Sequence, residues 1–320
     1  MANSNRYNGF RVDIENWLRG LCMGAADVVP GVSGGTLALI LGHYDRLISA
    51  ISKIDSSFFR LLLRGQWQAA AQHIDGRFLA GLGAGIASGI LALASLMHYL
   101  LEFQQPYVYA VFVGLILGSS VLVARRLTIW RTIDFVMLCT GVTLAAGICI
   151  LQPMHSTLNV WSAFFAATIA ICAMILPGIS GAFVLFLLGF YHPITSLIKG
   201  LPHGDFTFAG LTIIASFCLG CLCGLLAFSR LLRWLLTCHH NSTLAFLVGL
   251  MFGSLVKLWP FQQPTPETAE LEFKFRIYEF RSPFTSDANL TLIVGLALVS
   301  FATTIILEQI GHRLTQQSTR

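Results

Sequence analysis

Charge is what this sequence lacks. Only 11% of its 320 residues are Asp, Glu, Lys or Arg, where a soluble globular domain carries roughly 25%. That scarcity excludes an ordinary water-facing surface. The net charge of +5 therefore reads as membrane orientation, not as a nucleic-acid partner. Catalytic patterns are missing too: there is no Walker loop, no nucleophile elbow and no pair of metal-binding carboxylates. An enzyme is not expected. Without an ATPase module, any pumping must draw on an ion gradient, a partner or the substrate gradient. Eight cysteines are present, but without zinc-type spacing. Cys218, Cys221 and Cys223, even with His239 and His240, read as small packing residues. No metal and no cofactor are expected. The polar start, residues 1–11, is not followed by a cleavable signal pattern, so no removable targeting segment is expected.

What is present is apolar. Hydrophobic residues make up 55% of the chain, and runs such as 78–101 and 160–176 approach the roughly 20 residues that cross a bilayer. Six to eight such segments leave no room for a soluble domain. Because backbone polar groups must be satisfied internally in lipid, the sequence predicts an all-α polytopic membrane protein, one transmembrane domain over 1–320.

The segments form two similar halves. Pro30-Gly31-Val32-Ser33-Gly34 reappears as Pro177-Gly178-Ile179-Ser180-Gly181, displaced by 147 residues, and eight of the 23 positions from 27 to 49 are identical to their counterparts. Further on, Gly85, Gly89, Gly114 and Gly118 match Gly220, Gly224, Gly249 and Gly253 at a displacement of 135, which makes the 53–77 loop about 12 residues longer than its partner. Repeat 1 covers about 12–151 and repeat 2 about 159–308. Each opens with a hydrophobic hairpin (about 12–52 and 159–199) broken at Pro-Gly-X-Ser-Gly, where a straight helix is disfavoured. Three spans follow in each: about 78–101, 106–124 and 132–151, then 207–229, 243–259 and 289–308.

The stretch after the first break is too short to span hydrocarbon, so each hairpin is expected to be re-entrant. With cytoplasmic termini, fifteen of the 20 Lys and Arg then fall inside; Lys199, Lys257, Lys274, Arg276 and Arg281 fall outside. Three spans between the hairpins make the second enter from the opposite face. Inverted-topology repeats with broken helices meeting near the midplane are a transporter architecture.

The chemistry is expected at the breaks. A helix restarting after the glycines presents bare amides and a positive dipole end, a seat for phosphate or carboxylate. The candidate phosphate-binding residues are Gly31, Ser33, Gly34, Gly35 and Thr36 in the first copy, and Gly178, Ser180, Gly181 and Ala182 in the second. Arg46 is a further candidate, able to grip phosphate bidentately or to mark the cytoplasmic boundary. Asp27, an acid in apolar surroundings, either takes a coupling H+ or Na+, pairs with Arg46, or caps the broken hairpin; its counterpart is Met174. Tyr44 and Tyr191 read first as interfacial anchors. Arg125, Arg126, Arg230 and Arg233 read as facing cytoplasmic headgroups.

The run Gly24-Ala25-Ala26-Asp27-Val28-Val29-Pro30-Gly31-Val32-Ser33-Gly34-Gly35-Thr36, followed by Gly42-His43-Tyr44, closely resembles the signature of a bacterial membrane family. That family was first catalogued as a domain of unknown function and is associated with undecaprenyl-phosphate (polyprenyl-phosphate) translocation. The second motif and the chain length fit as well. The resemblance implies a flippase of the cytoplasmic (inner) membrane. It would return the lipid carrier from the outer to the inner leaflet for cell-envelope glycan synthesis. Partners would then be the polyprenyl-phosphate lipid and membrane lipids, with a homo-oligomer left open. Two alternatives remain from the residues. One is a secondary carrier for a small anion or amino acid. The other is a prenyl-pyrophosphate phosphatase, whose similar motif continues with Arg where this chain has Gly34 or Gly181.

Overall fold

The computed structural model describes residues 2–27, 34–127, 129–154, 156–200, 207–266, 270, 276, 278–283 and 289–318. Helix α1 (Ala2–Asp27) is followed, beyond the gap at 28–33, by α2 (Gly34–Ile40) and α3 (Tyr44–Ser52). The first break, with Pro30, Gly31 and Ser33, lies outside the described residues. Two short helices, α4 (Ser56–Leu63) and α5 (Trp67–His73), occupy the stretch read from sequence as a loop. Asp55 caps α4 by accepting from the Ser57 and Phe58 amides at 2.9 and 3.0 Å. Then come α6 (Gly76–Phe103), α7 (Gln105–Ala124) and α8 (Thr132–Ile150).

The second half runs α9 (Val160–Ile175), α10 (Gly181–Leu187), α11 (Tyr191–Gly200), α12 (Phe208–Cys238), α13 (His240–Ser254) and α14 (Leu290–Ser318). The second break has a clear local cause. Leu176, which precedes Pro177, is extended at φ −69° and ψ 131°, because the proline ring disfavours the helical region for its predecessor. Gly178 then turns at φ +89°, and Ser180 starts α10 by accepting from the Phe183 amide at 3.4 Å.

The described residues are mostly helical, in keeping with an all-α membrane protein; one short pair that the sequence did not predict is added, β1 (Gln262–Pro264) antiparallel with β2 (Tyr278–Phe280) between α13 and α14, Gln262 opposite Phe280. Helix α12 continues to Cys238 rather than stopping near 229, so Arg230 and Arg233 sit on it. Among the described residues α7, α8 and α12 are each long and apolar enough to cross a membrane; the bent pairs α5–α6 (73°) and α10–α11 (112°) raise that to five if each is one span. Helices α9 and α13 have 16 and 15 residues, roughly 24 and 22 Å at 1.5 Å per residue, against about 30 Å of hydrocarbon.

Helix pairing is set by small residues. Helix α1 packs along α6, and α9 along α12. A Cβ on Gly85 would lie 2.1 Å from the Trp17 carbonyl oxygen, and one on Gly220 2.3 Å from that of Phe164. Further down the seams, a Cβ on Gly89 would lie 2.3 Å from the Leu21 carbonyl oxygen and one on Gly224 2.8 Å from that of Thr168. The other two seams cross between halves: α7 packs on α14 and α8 on α13. There a Cβ on Gly114 would lie 2.1 Å from the Ala297 carbonyl oxygen, and one on Gly249 2.2 Å from that of Leu138. Backbone-to-backbone approach of this kind needs glycine. Outward faces carry large apolar side chains, such as Leu91 at 81%, Trp161 at 74% and Phe208 at 85% exposure, a surface suited to lipid rather than water. Buried hydroxyls return to their own helices: Ser120 donates to the Ile116 carbonyl at 2.7 Å and Ser254 to that of Met251 at 2.8 Å, as intramembrane packing requires.

Candidate functional site

The first half-helix is tied to the second break. Thr36, in the first turn of α2, is fully buried. Its Oγ1 accepts from the Gly178 amide at 2.7 Å, across 142 residues of sequence. Close by in the fold, the Tyr44 hydroxyl donates to the carbonyl of Ile175, the last residue of α9, at 3.0 Å. Residues that sequence alone put at two separate breaks are thus in direct contact. Tyr44 is 2% exposed, which corrects its reading as an interfacial anchor. Its ring is enclosed by the core, and its polar tip has a buried acceptor. Tyr191, its counterpart, is half-buried and lines a cleft of about 260 Å³ with Phe186, Gly189 and His192.

Asp27 closes the first hairpin. As the last residue of α1 it accepts from the Gly34 amide at 2.6 Å, a charge-assisted bond on the first bare donor of α2. No side chain fits at position 34 without striking that carboxylate: a Cβ there would lie 2.8 Å from Oδ2. Asp27 does not pair with Arg46. The Arg46 Nε donates to Asp75 Oδ2 at 2.7 Å, with both side chains more than a third exposed, and its guanidinium stacks 4.2 Å over the Phe78 ring. An exposed pair of this kind is held loosely.

The remaining candidates divide by access. Gly34, Gly35, Gly178 and Gly181 are buried; Ser180 is half-buried and Ala182 exposed. Gly181 packs on α9, where a Cβ would lie 2.6 Å from the Ala170 carbonyl oxygen. Gly31 and Ser33 lie outside the described residues. The two arginines of α12 reach the end of α3 instead of open headgroup space: Arg230 donates to the Ile54 carbonyl at 2.8 Å and Arg233 to Ser52 Oγ at 3.1 Å. Sequence reading missed all four of these hydrogen bonds between the halves. The recurrence of Tyr at 44 and 191 was the one available signal that position 44 matters.

The Thr36–Gly178 bond gives a direct test of the junction. Thr36→Val keeps the shape but removes the acceptor for a buried amide. It is expected to cost about 1–2 kcal/mol, read as a fall in thermal unfolding midpoint in detergent, while Thr36→Ser is expected to remain within about 0.5 kcal/mol.

Comparison with known proteins places this geometry in context. Residues 23–272 match the undecaprenyl phosphate translocase-like family. The chain is 36% identical over 308 residues to a polyprenyl-phosphate transporter of Vibrio cholerae, covering 94% of this chain and 97% of that one. It is 32% identical over 257 residues to a polyprenyl-phosphate transporter of Staphylococcus aureus, covering 77% and 86% respectively. No solved structure matches.

Proposed function

The chain belongs to the undecaprenyl phosphate translocase-like family, and from that premise we propose that it carries polyprenyl phosphate across the membrane at the junction of its two broken hairpins. The observation that carries the reading is the meeting of the first half-helix with the second break, where the Gly178 amide rests on Thr36. A phosphate monoester cannot cross hydrocarbon bare, because an unpaired ion in low dielectric costs tens of kcal/mol by idealised Born estimates. Amides at the breaks, with Ser33, Ser180 and Arg46, replace its water, while the prenyl tail stays in lipid against the apolar outer faces.

In this reading the described state is a closed one. The headgroup reaches the buried amides only when the Thr36–Gly178 and Tyr44–Ile175 bonds part. Asp27 already occupies the Gly34 amide, so an incoming phosphate competes with a resident carboxylate. Uptake of H+ or Na+ by Asp27 releases that amide and couples transport to a gradient.

We further propose that the halves are inverted-topology repeats, about 12–151 and 159–308. The contacts support this. Gly85 on Trp17 and Gly220 on Phe164 are equivalent at the displacements of 135 and 147 seen in the sequence. Gly114 on Ala297 and Gly249 on Leu138 correspond with the last helix of each half exchanged. The paired corners Gly42 and Gly189 share φ of +73° and +78°. The termini are then cytoplasmic in the inner membrane, and net movement runs from the outer to the inner leaflet. Gly34 and Gly181, in place of a phosphate-gripping arginine, support a carrier over a phosphatase.

The test is the leaflet exposure of undecaprenyl phosphate in cells with and without the protein, with Asp27→Asn, Ser33→Ala, Arg46→Ala and Ser180→Ala in parallel. Loss of the protein is expected to leave the lipid on the outer leaflet. Unchanged activity in all four variants at normal abundance would reject the site.

A further inference from the structure

The second break has a cation beside it. Helix α13 runs against this break: a Cβ on Gly178 would lie 2.7 Å from the Leu250 carbonyl oxygen. Seven residues on, just past the end of the helix, stands Lys257. Its ammonium lies 4.6 Å from the centroid of the Phe183 ring, and Phe183 is the residue whose amide Ser180 accepts from. The backbone of Lys257 is fixed at both ends. Its N–H donates to the Ser254 carbonyl at 3.0 Å, and its carbonyl accepts from Gln262 Nε2 at 2.9 Å.

Lys257 is half-buried, and among the described residues no carboxylate lies within ion-pair distance of it. The titratable group that faces it is the Cys149 thiol at the end of α8. The aromatic face offsets part of the desolvation of the ammonium but accepts none of its hydrogen bonds. A half-buried ammonium held over an aromatic ring, with no described carboxylate beside it, is open to an anionic ligand.

The two halves also differ in sign here. Asp27 stands at the first break where the second has Met174, and Lys257 stands at the second break where the displacement of 135 puts Leu122 in the first. The first hairpin therefore holds its own anion, and the second break holds a cation with no carboxylate beside it among the described residues. We propose that Lys257, seated on Phe183, is a phosphate-monoester-binding residue that captures the headgroup at the second break. The assignment rests on the transport reading above and adds to it the residue that discriminates charged from uncharged prenyl lipid.

The experiment measures equilibrium binding of farnesyl monophosphate, farnesol and inorganic phosphate to the purified full chain in detergent, for wild type, Lys257→Met and Lys257→Arg. Thermal unfolding is recorded alongside. Lys257→Met is expected to weaken farnesyl monophosphate at least about tenfold, as loss of a close charge partner does. Farnesol binding and the unfolding midpoint should stay unchanged, and Lys257→Arg should stay within about threefold of wild type, since it keeps the cation. Unchanged farnesyl monophosphate affinity in Lys257→Met would overturn the assignment while leaving the transport reading intact. So would a parallel loss of farnesol binding and thermal stability, which marks a structural role. Equal, Lys257-dependent binding of inorganic phosphate would uphold the anion site and overturn the lipid reading beneath it.

Discussion

Alanine at Gly85 is expected to destabilise the protein by about 3 kcal/mol, the upper end for overpacking a tight interior. The added Cβ would sit 2.1 Å from the Trp17 carbonyl oxygen. The obstacle is helix backbone, not a side chain that can swing away. Relief requires α1 and α6 to separate along a seam where a Cβ added to Gly20, Gly24 or Gly89 would likewise lie 2.1–2.3 Å from an opposing carbonyl oxygen. Gly220→Ala, 2.3 Å from the Phe164 carbonyl oxygen, is expected to match it in the second half. Gly83→Ala is the internal control. It lies on the same helix with nothing within 4 Å of the added Cβ, so it should be neutral or gain up to about 1 kcal/mol from helix propensity. Thermal unfolding of the four proteins in one detergent decides the matter. Equal midpoints for Gly83→Ala and Gly85→Ala would mean that the seam does not hold α1 on α6.

The second large effect is expected at Asp27, on transport rather than stability. Asparagine keeps an oxygen to accept from the Gly34 amide, now 2.6 Å from the carboxylate, so the cap survives and the unfolding midpoint should move by less than about 1 kcal/mol. The negative charge, and with it the site for H+ or Na+, is gone. Polyprenyl-phosphate movement in proteoliposomes is expected to fall at least about tenfold, equivalent to 1.4 kcal/mol or more in barrier height, and to lose its response to the gradient that drives wild type. Asp27→Ala should add a loss of cap stability of about 1 kcal/mol. If Asp27→Asn transports normally and still follows the gradient, Asp27 is a cap and nothing more.

Much of this was legible in the residues. The interrupted helices follow from Pro-Gly, since proline withholds a donor and restricts its predecessor, and Leu176 shows that restriction directly. Gly42 and Gly189, equivalent at the displacement of 147, both adopt positive φ. The α1–α6 seam was visible only as glycines four apart. Their partners were not, because lipid and protein interior are equally apolar and a transmembrane helix does not announce which face is buried. For the same reason Tyr44 looked like an anchor: an amphipathic ring suits the membrane surface and a satisfied core position alike. The β1–β2 pair escaped because a polar connection of this length gives no strong period to read.

The sequence by itself determined the solvent of this protein, its helical class, its two similar halves and the positions where its helices must break. Those depend on composition and on local backbone chemistry, which each residue carries with it. The tertiary structure alone decided that α7 takes α14 and α13 takes α8 as partners, that Thr36 meets Gly178, and that Lys257 stands over Phe183. These contacts join residues up to 183 positions apart in the seams and depend on which small-residue grooves fit one another, a property of pairs of surfaces that no single segment contains.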